Sequence, residues 1–185
     1  NLTDQEPKTL YLNLEQQVRP APKGELVQAN IDRAFQNNQR MSNNIAVFND
    51  IRLVLLNGKN TNNLGVVQLA TEKDFLNVTN IERTLIDAAV RPAYSGGIFE
   101  VLRFFRNAKE KVSINKLVSI LKTLNYVYPY HQVIGFYLEK AGVYDESQIS
   151  LLKKIPIRYN FYLTHGMKDA AFSDSWKLYY PKGFN

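Results

Sequence analysis

Val78–Gly97 reads V-T-N-I-E-R-T-L-I-D-A-A-V-R-P-A-Y-S-G-G, and it marks where the chain changes period. Thr79 with Glu82 has the spacing of a capping box, which predicts a helix start. Ile81, Leu85, Ala88 and Ala89 then share one helical face, and Ile86 and Val90 cover much of another. Arg83, Thr84 and Asp87 leave only a narrow polar stripe. A helix apolar on so many sides is a central one, packed on more than one face. Pro92 ends it, and Ser95-Gly96-Gly97 opens the next.

Downstream the helical period continues. Ile98, Val101, Leu102, Phe105 and Ala108 form the stripe of a second helix, with Arg103 and Arg106 facing away. Ser113 caps a third, striped by Ile114, Leu117, Val118, Leu121 and Leu124. After the turn Y-V-Y-P-Y at 126–130, Val133, Ile134, Tyr137, Leu138 and Ala141 line a fourth, stopped by Gly142. Asp145 and Gln148 form the capping box of a short fifth helix through Leu152. The tail returns to strand character at Tyr159 to Leu163 and Ser175 to Tyr180.

Upstream the pattern is mostly strand. Leu10, Leu12 and Leu14 alternate with Tyr11, Asn13 and Glu15, the period of a half-buried strand. Pro20 and Pro22 break the chain. A helix follows from Gly24 to Asn37, with Val27, Ile31, Ala34 and Phe35 on one face. Ile45 to Phe48 and Ile51 to Leu56 are apolar and β-branched enough for strands. The polar run N-G-K-N-T-N-N from Asn57 predicts the long tip of a hairpin returning through Leu64 to Ala70. Asp74 to Val78 adds one more short strand. The whole reads as one domain over 1–185 of the α/β (α+β) class. Residues 1–78 are mostly β with one helix, 79–154 helical, and 155–185 returning strands. A mixed sheet from the N-terminal half and the C-terminal tail is expected to pack against the helical second half.

Composition bounds the function. The chain has 185 residues, 45% hydrophobic and 22% charged, which suits a folded domain with a sizeable core. Cysteine is absent, which removes disulfides, thiolate nucleophiles and thiolate metal sites, and agrees with a reducing cytoplasm. The net charge of +6 favours anionic partners, nucleic acid first. No apolar run approaches spanning length, so no membrane partner is expected. The start lacks a signal-peptide core, and the first methionine is Met41, so a trimmed or processed chain is expected.

Few residues suggest chemistry. Arg83 and Asp87, four apart, meet on one helix face. They fit either a carboxylate held for catalysis or ligand binding, or a structural pair tying a buried helix to its neighbours' backbone, and the second reading is preferred. Gly96 and Gly97 precede a helix where N–H groups can hold phosphate, but a turn needing positive φ accounts for them, with Glu100 already in the first turn. Asn57-Gly58-Lys59-Asn60-Thr61 lacks the upstream glycine of a nucleotide-binding loop. His131 and His165 lack metal-ligand spacing and read as packing, capping or turn residues. Arg103, Arg106, Lys109, Lys111, Lys116 and Lys122 would form one basic face if the second and third helices made an antiparallel hairpin. That face is either ordinary solvated charge or a phosphate contact.

The segment N-V-T-N-I-E-R-T-L-I-D with R-P-A-Y-S-G-G resembles the signature of AbiEi-type antitoxins of the AbiE toxin–antitoxin phage-defence systems. N-L-T-D-Q-E-P-K-T-L-Y-L-N, I-D-R-A-F-Q-N-N-Q-R and W-K-L-Y-Y-P-K-G-F resemble other parts of that family, so the likeness covers most of the chain. The resemblance implies an antitoxin and transcriptional autoregulator, not an enzyme, with no cofactor and a cytoplasmic location. It implies operator DNA as a partner of the full-length protein, read by an N-terminal winged helix that no segment of this chain resembles. It also implies a functional partner, a nucleotidyltransferase toxin, counteracted without a stable complex. The alternatives are a nucleic-acid-acting hydrolase or transferase with an acidic site near Glu82 and Asp87, or a protein-binding scaffold.

Overall fold

A computed structural model describes residues 2–3, 8–18 and 25–184. The proline break at Pro20 and Pro22, and the expected helix start at Gly24, lie outside the described residues. The fold is α+β, as expected. Its elements in chain order are β1 (Thr9–Glu15), α1 (Gln28–Gln36), β2 (Ile45–Phe48), β3 (Ile51–Gly58), β4 (Val66–Ala70), β5 (Phe75–Thr79), α2 (Ile81–Val90), α3 (Ile98–Asn107), α4 (Ile114–Leu124), α5 (Tyr130–Ala141), α6 (Glu146–Lys153), β6 (Phe161–Tyr162), β7 (Ala170–Ser173) and β8 (Leu178–Pro181).

The helical half is where the core sits. α2 packs on α3, α4 and α5, which makes it the central helix its apolar girth predicts. α5 is buried along nearly its whole length, from Gln132 to Leu138, between α3, α6 and the tail strands. Its Gln132 is fully buried, and the side-chain amide donates to the carbonyls of Tyr159 and Trp176 at 3.0 and 2.6 Å. With the bond from Trp176 Nε1 to Glu139, it ties the tail to the helix. The caps at Ser113, Gly142 and the Asp145–Gln148 box form as the sequence predicts.

The cap of α2 differs from expectation. Asn80, not Thr79, is the N-cap, its side chain accepting from the Arg83 N–H at 2.9 Å. Thr79 ends β5 and bonds the Thr84 hydroxyl at 2.7 Å. Glu82 does not reach back to close a capping box. It reaches out to α4, because the buried face of α2 carries it there.

Among the described residues the strands divide among three small sheets, two of them mixed, and the N-terminal strands and the tail do not join in one sheet. β3 is the middle of the first, parallel to β1 and antiparallel to β2. Asn49 and Asp50, both at positive φ, make the β2–β3 turn. The expected hairpin from β3 to Leu64–Ala70 does not form. β4 pairs antiparallel with β5, and the loop between β3 and β4 folds back onto β1 and α4. In the tail, β8 pairs parallel with β6 and antiparallel with β7, so Ser175 to Lys177 is a turn and the strand begins at Leu178. β1 is not half-buried: Leu10, Leu12 and Leu14 are all exposed, Leu14 at 69%. α1 begins at Gln28 and buries Ile31 and Phe35, while Val27, its N-cap, is exposed.

Candidate functional site

The Arg83–Asp87 pair lies in a cleft of about 440 Å³ between β1, the end of β3, α2 and the α4–α5 connection. Residues from these separate segments meet there because the β3–β4 loop is anchored at three points. Glu15 on β1 accepts from the Thr61 hydroxyl and, at 2.9 Å, from the Thr61 N–H. Lys59 donates to the Leu124 carbonyl at 2.8 Å, closing the end of α4 where a cation suits the helix dipole. Arg83 donates to the Leu64 carbonyl at 2.7 Å. Burial opposes ionisation of Glu15, but its bonds from Thr61 and Asn63, with the charge of Arg83, hold it below its ordinary pKa.

Arg83 is almost wholly buried, its side chain 8% exposed, whereas Asp87 is 40% exposed at the cleft wall. Burial in the cleft still raises the Asp87 pKa. Arg83, Arg91 and a hydrogen bond from Tyr126 pull the other way without cancelling it. The Tyr126 phenol is pushed up to about 12, by its own burial and then by the negative charge of Asp87. The arrangement is an ion pair in which one guanidinium nitrogen is shared between both carboxylate oxygens, flanked by a neutral phenol and a second guanidinium. It can anchor an element, and it can offer hydrogen bonds to a polar or anionic ligand entering the cleft.

Glu82 is elsewhere. Its carboxylate faces α4, accepting from the Ser113 N–H at 3.0 Å and pairing with Lys116 at 3.1 Å. Burial opposes its charge, but those two partners outweigh it and lower its pKa. Glu82 and Asp87 therefore do not share one acidic cleft. Gly96 and Gly97 adopt φ of +79° and +93° and form the turn expected of them, with Gly97 capping α3 and Glu100 in its first turn. A Cβ on Gly96 would crowd Glu100.

The expected basic face is dispersed. α3 packs on α5 and α2, while α4 packs on α2 and α6, so these two helices do not form a hairpin. Arg103 pairs with Glu100 at 3.0 Å. Arg106 donates to the carbonyls of Ala141 and Lys140, capping α5. Lys109 donates to Gln148 at 2.8 Å and lies over the Tyr144 ring. Lys116 belongs to Glu82, which leaves Lys111 and Lys122 as plain exposed cations.

His131 sits in the first turn of α5, its pKa lowered to about 4 by burial against a bond to Pro156. His165 stacks on Phe35 at 4.1 Å and precedes Gly166 in a turn. Among the described residues no cluster of His, Asp or Glu could hold a metal ion. Sequence reasoning passed over Lys59, Arg91, Tyr94 and Tyr126 as site residues. The signal was the tyrosine run at 126–130 beside a helix end, which reads locally as a turn.

No family model, curated protein or solved structure matches this chain. No helix among the described residues is long and apolar enough to cross a membrane.

Proposed function

We propose that this chain is the antitoxin domain of an AbiEi-like regulator. In this reading it is a non-enzymatic module that counteracts a nucleotidyltransferase toxin without holding it in a stable complex. The full-length protein would repress its own operon by binding operator DNA through a winged helix. The observation that supports the reading is the geometry of the E-R-T-L-I-D helix. Its charged residues are spent on contacts within the fold: Glu82 reaches α4, while Arg83 ties the β3–β4 loop to Asp87 one turn along the helix. A motif arranged in that way organises a fold, which suits a signature shared by regulators and does not suit a catalytic pair.

Co-expression tests this. With the toxin encoded beside this protein's gene, the folded chain should restore growth, and tagged chain should not retain the toxin through purification. A folded chain that never relieves toxicity overturns the reading. Purified alone, it should unfold cooperatively and bind its own operator only weakly and in a salt-sensitive manner. Tight binding that depends on the operator's inverted repeat would place the DNA-reading element within these residues.

A further inference from the structure

A wider groove runs beside the Asp87 cleft and shares Lys59, Arg91, Tyr94 and Tyr126 with it. It encloses about 1760 Å³ between α1 with its connection to β2, the end of β3, and residues 125–130. Its charge is one-sided. Arg33, Arg40, Lys59 and Arg91 line it, and no Asp or Glu does among the described residues. Arg33, Arg40 and Arg91 form no ion pair among the described residues. Lys59 is steered by the Leu124 and Asn125 carbonyls, which position the ammonium without cancelling its charge. Asp87, at the junction with the cleft, is already engaged by Arg83.

One wall is aromatic. Tyr126, Tyr128 and Tyr130 follow one another there, with Tyr94 nearby. Tyr130 meets both Tyr126 and Tyr128 edge to face, at 5.2 and 6.3 Å between ring centres. Val127, between two of them, is exposed. Asn and Gln side chains supply more than half of the remaining lining, Asn43, Asn44 and Asn60 among them. These amides are uncharged donors and acceptors, able to meet base edges and sugar hydroxyls.

Cations that follow a phosphate backbone, aromatic rings for bases and amides for their edges are together the needs of one ligand class. We propose that this groove binds single-stranded nucleic acid, with phosphates on Arg33, Arg40, Lys59 and Arg91 and unpaired bases against the tyrosines. A duplex hides its base faces, so it gains from the cations alone. The inference goes beyond the antitoxin reading and is independent of it, because binding is measured on the purified chain without toxin or operator.

Fluorescence anisotropy tests it with a labelled oligouridylate and the matching oligothymidylate, each about ten nucleotides long. A duplex of equal length and polyglutamate serve as competitors. Both single strands should bind at low salt, with a slope of log K against log salt of up to about −3 for four phosphate contacts. Duplex should compete at least ten-fold more weakly, and polyglutamate weakly as well. Preference for uridylate assigns the amides to the 2′-hydroxyl, and equal binding assigns the site to backbone and stacking; both support the groove. The double variant Arg33→Ala/Arg40→Ala should reduce the slope by about 1.4. Val127→Glu, which sets a carboxylate in the groove from an exposed position, should weaken binding at least ten-fold. The control Arg103→Ala/Lys111→Ala, on α3 and the α3–α4 connection and outside the groove lining, should change neither. All variants are first matched to the parent in melting temperature. Absent binding, equal affinity for duplex or polyglutamate, or loss of slope in the control and not in the groove variants each overturns the proposal.

Discussion

Arg83 Nε donates to both carboxylate oxygens of Asp87 at 2.9 Å, one turn along α2, while its Nη1 donates to the Leu64 carbonyl. The pair is asymmetric, because the guanidinium is buried and the carboxylate reaches solvent. Asp87→Ala therefore strands a buried cation whose remaining hydrogen-bond partners, the Thr61 hydroxyl and the Leu64 carbonyl, are neutral. Breaking a fully buried pair costs about 3–5 kcal/mol, and the exposure of Asp87 reduces that here to about 2–4 kcal/mol. Urea denaturation should show that loss, and antitoxin activity should fall only in step with folded protein. A variant with an unchanged melting temperature and no activity would assign Asp87 a direct functional role.

The start of α2 offers a sharper comparison. The Asn80 side chain accepts from the Arg83 N–H, whereas the Thr79 hydroxyl bonds that of Thr84. Asn80→Ala should cost about 1 kcal/mol of stability as a lost N-cap. Thr79→Ala, at an exposed strand end, should cost clearly less. Equal losses from the two variants in thermal melts would restore the capping box at Thr79.

What was legible follows from how local each signal is. The helices from α2 to α6 declare themselves by period and caps, and both are read within a dozen residues. Strand alternation declares a face without saying what covers it, so Leu10, Leu12 and Leu14 looked half-buried and are exposed. Pairing is less local still. Val66–Ala70 was expected to return along β3; it takes the short turn to β5, and the residues of the longer loop bond Glu15 and the end of α4. At α2, Thr79 and Asn80 are both good caps, and a one-residue shift moved Glu82 from an imagined box to a real contact with Ser113. The cleft escaped notice because Lys59, Arg83, Tyr94 and Tyr126 come from four segments, and only tertiary packing unites them.

Gly135 shows how tightly the tail is seated. A Cβ at this position would overlap the six-membered ring of Trp176, which is fully buried and donates from Nε1 to Glu139 at 2.8 Å. The ring lies against the bare backbone of α5. Gly135→Ala gains helix propensity but overpacks a rigid contact, so a net loss of about 1–3 kcal/mol is expected. Trp176 is the only tryptophan, so its fluorescence reports the displacement directly. An alanine variant with unchanged emission and stability would mean that the tail does not dock on α5 in this way.

Acid should begin to weaken the fold through His131 above the ordinary carboxylate range. Its pKa falls from 6.5 in the unfolded chain to about 4 in the fold, because the ring is buried at the first turn of α5 and must be neutral there. Between those values the unfolded chain takes up a proton that the folded chain refuses, so stability rises with pH across the window. It is fully present above pH 6.5 and is lost as the pH falls toward 4, by about 2–3 kcal/mol. His165, also lowered by burial, acts with the same sign. Glu82 adds its own loss only below its ordinary range, where protonation strips the Ser113 N–H and Lys116 of their charged acceptor. His131→Gln removes the titration while keeping a polar side chain, so urea midpoints for the variant should change less than the parent's between pH 6.5 and 4. With two histidines in the chain, imidazole NMR titration can follow each ring separately. A His131 resonance titrating near 6.5 in the folded protein, or an equally steep acid limb in the variant, would remove burial of this ring as the cause.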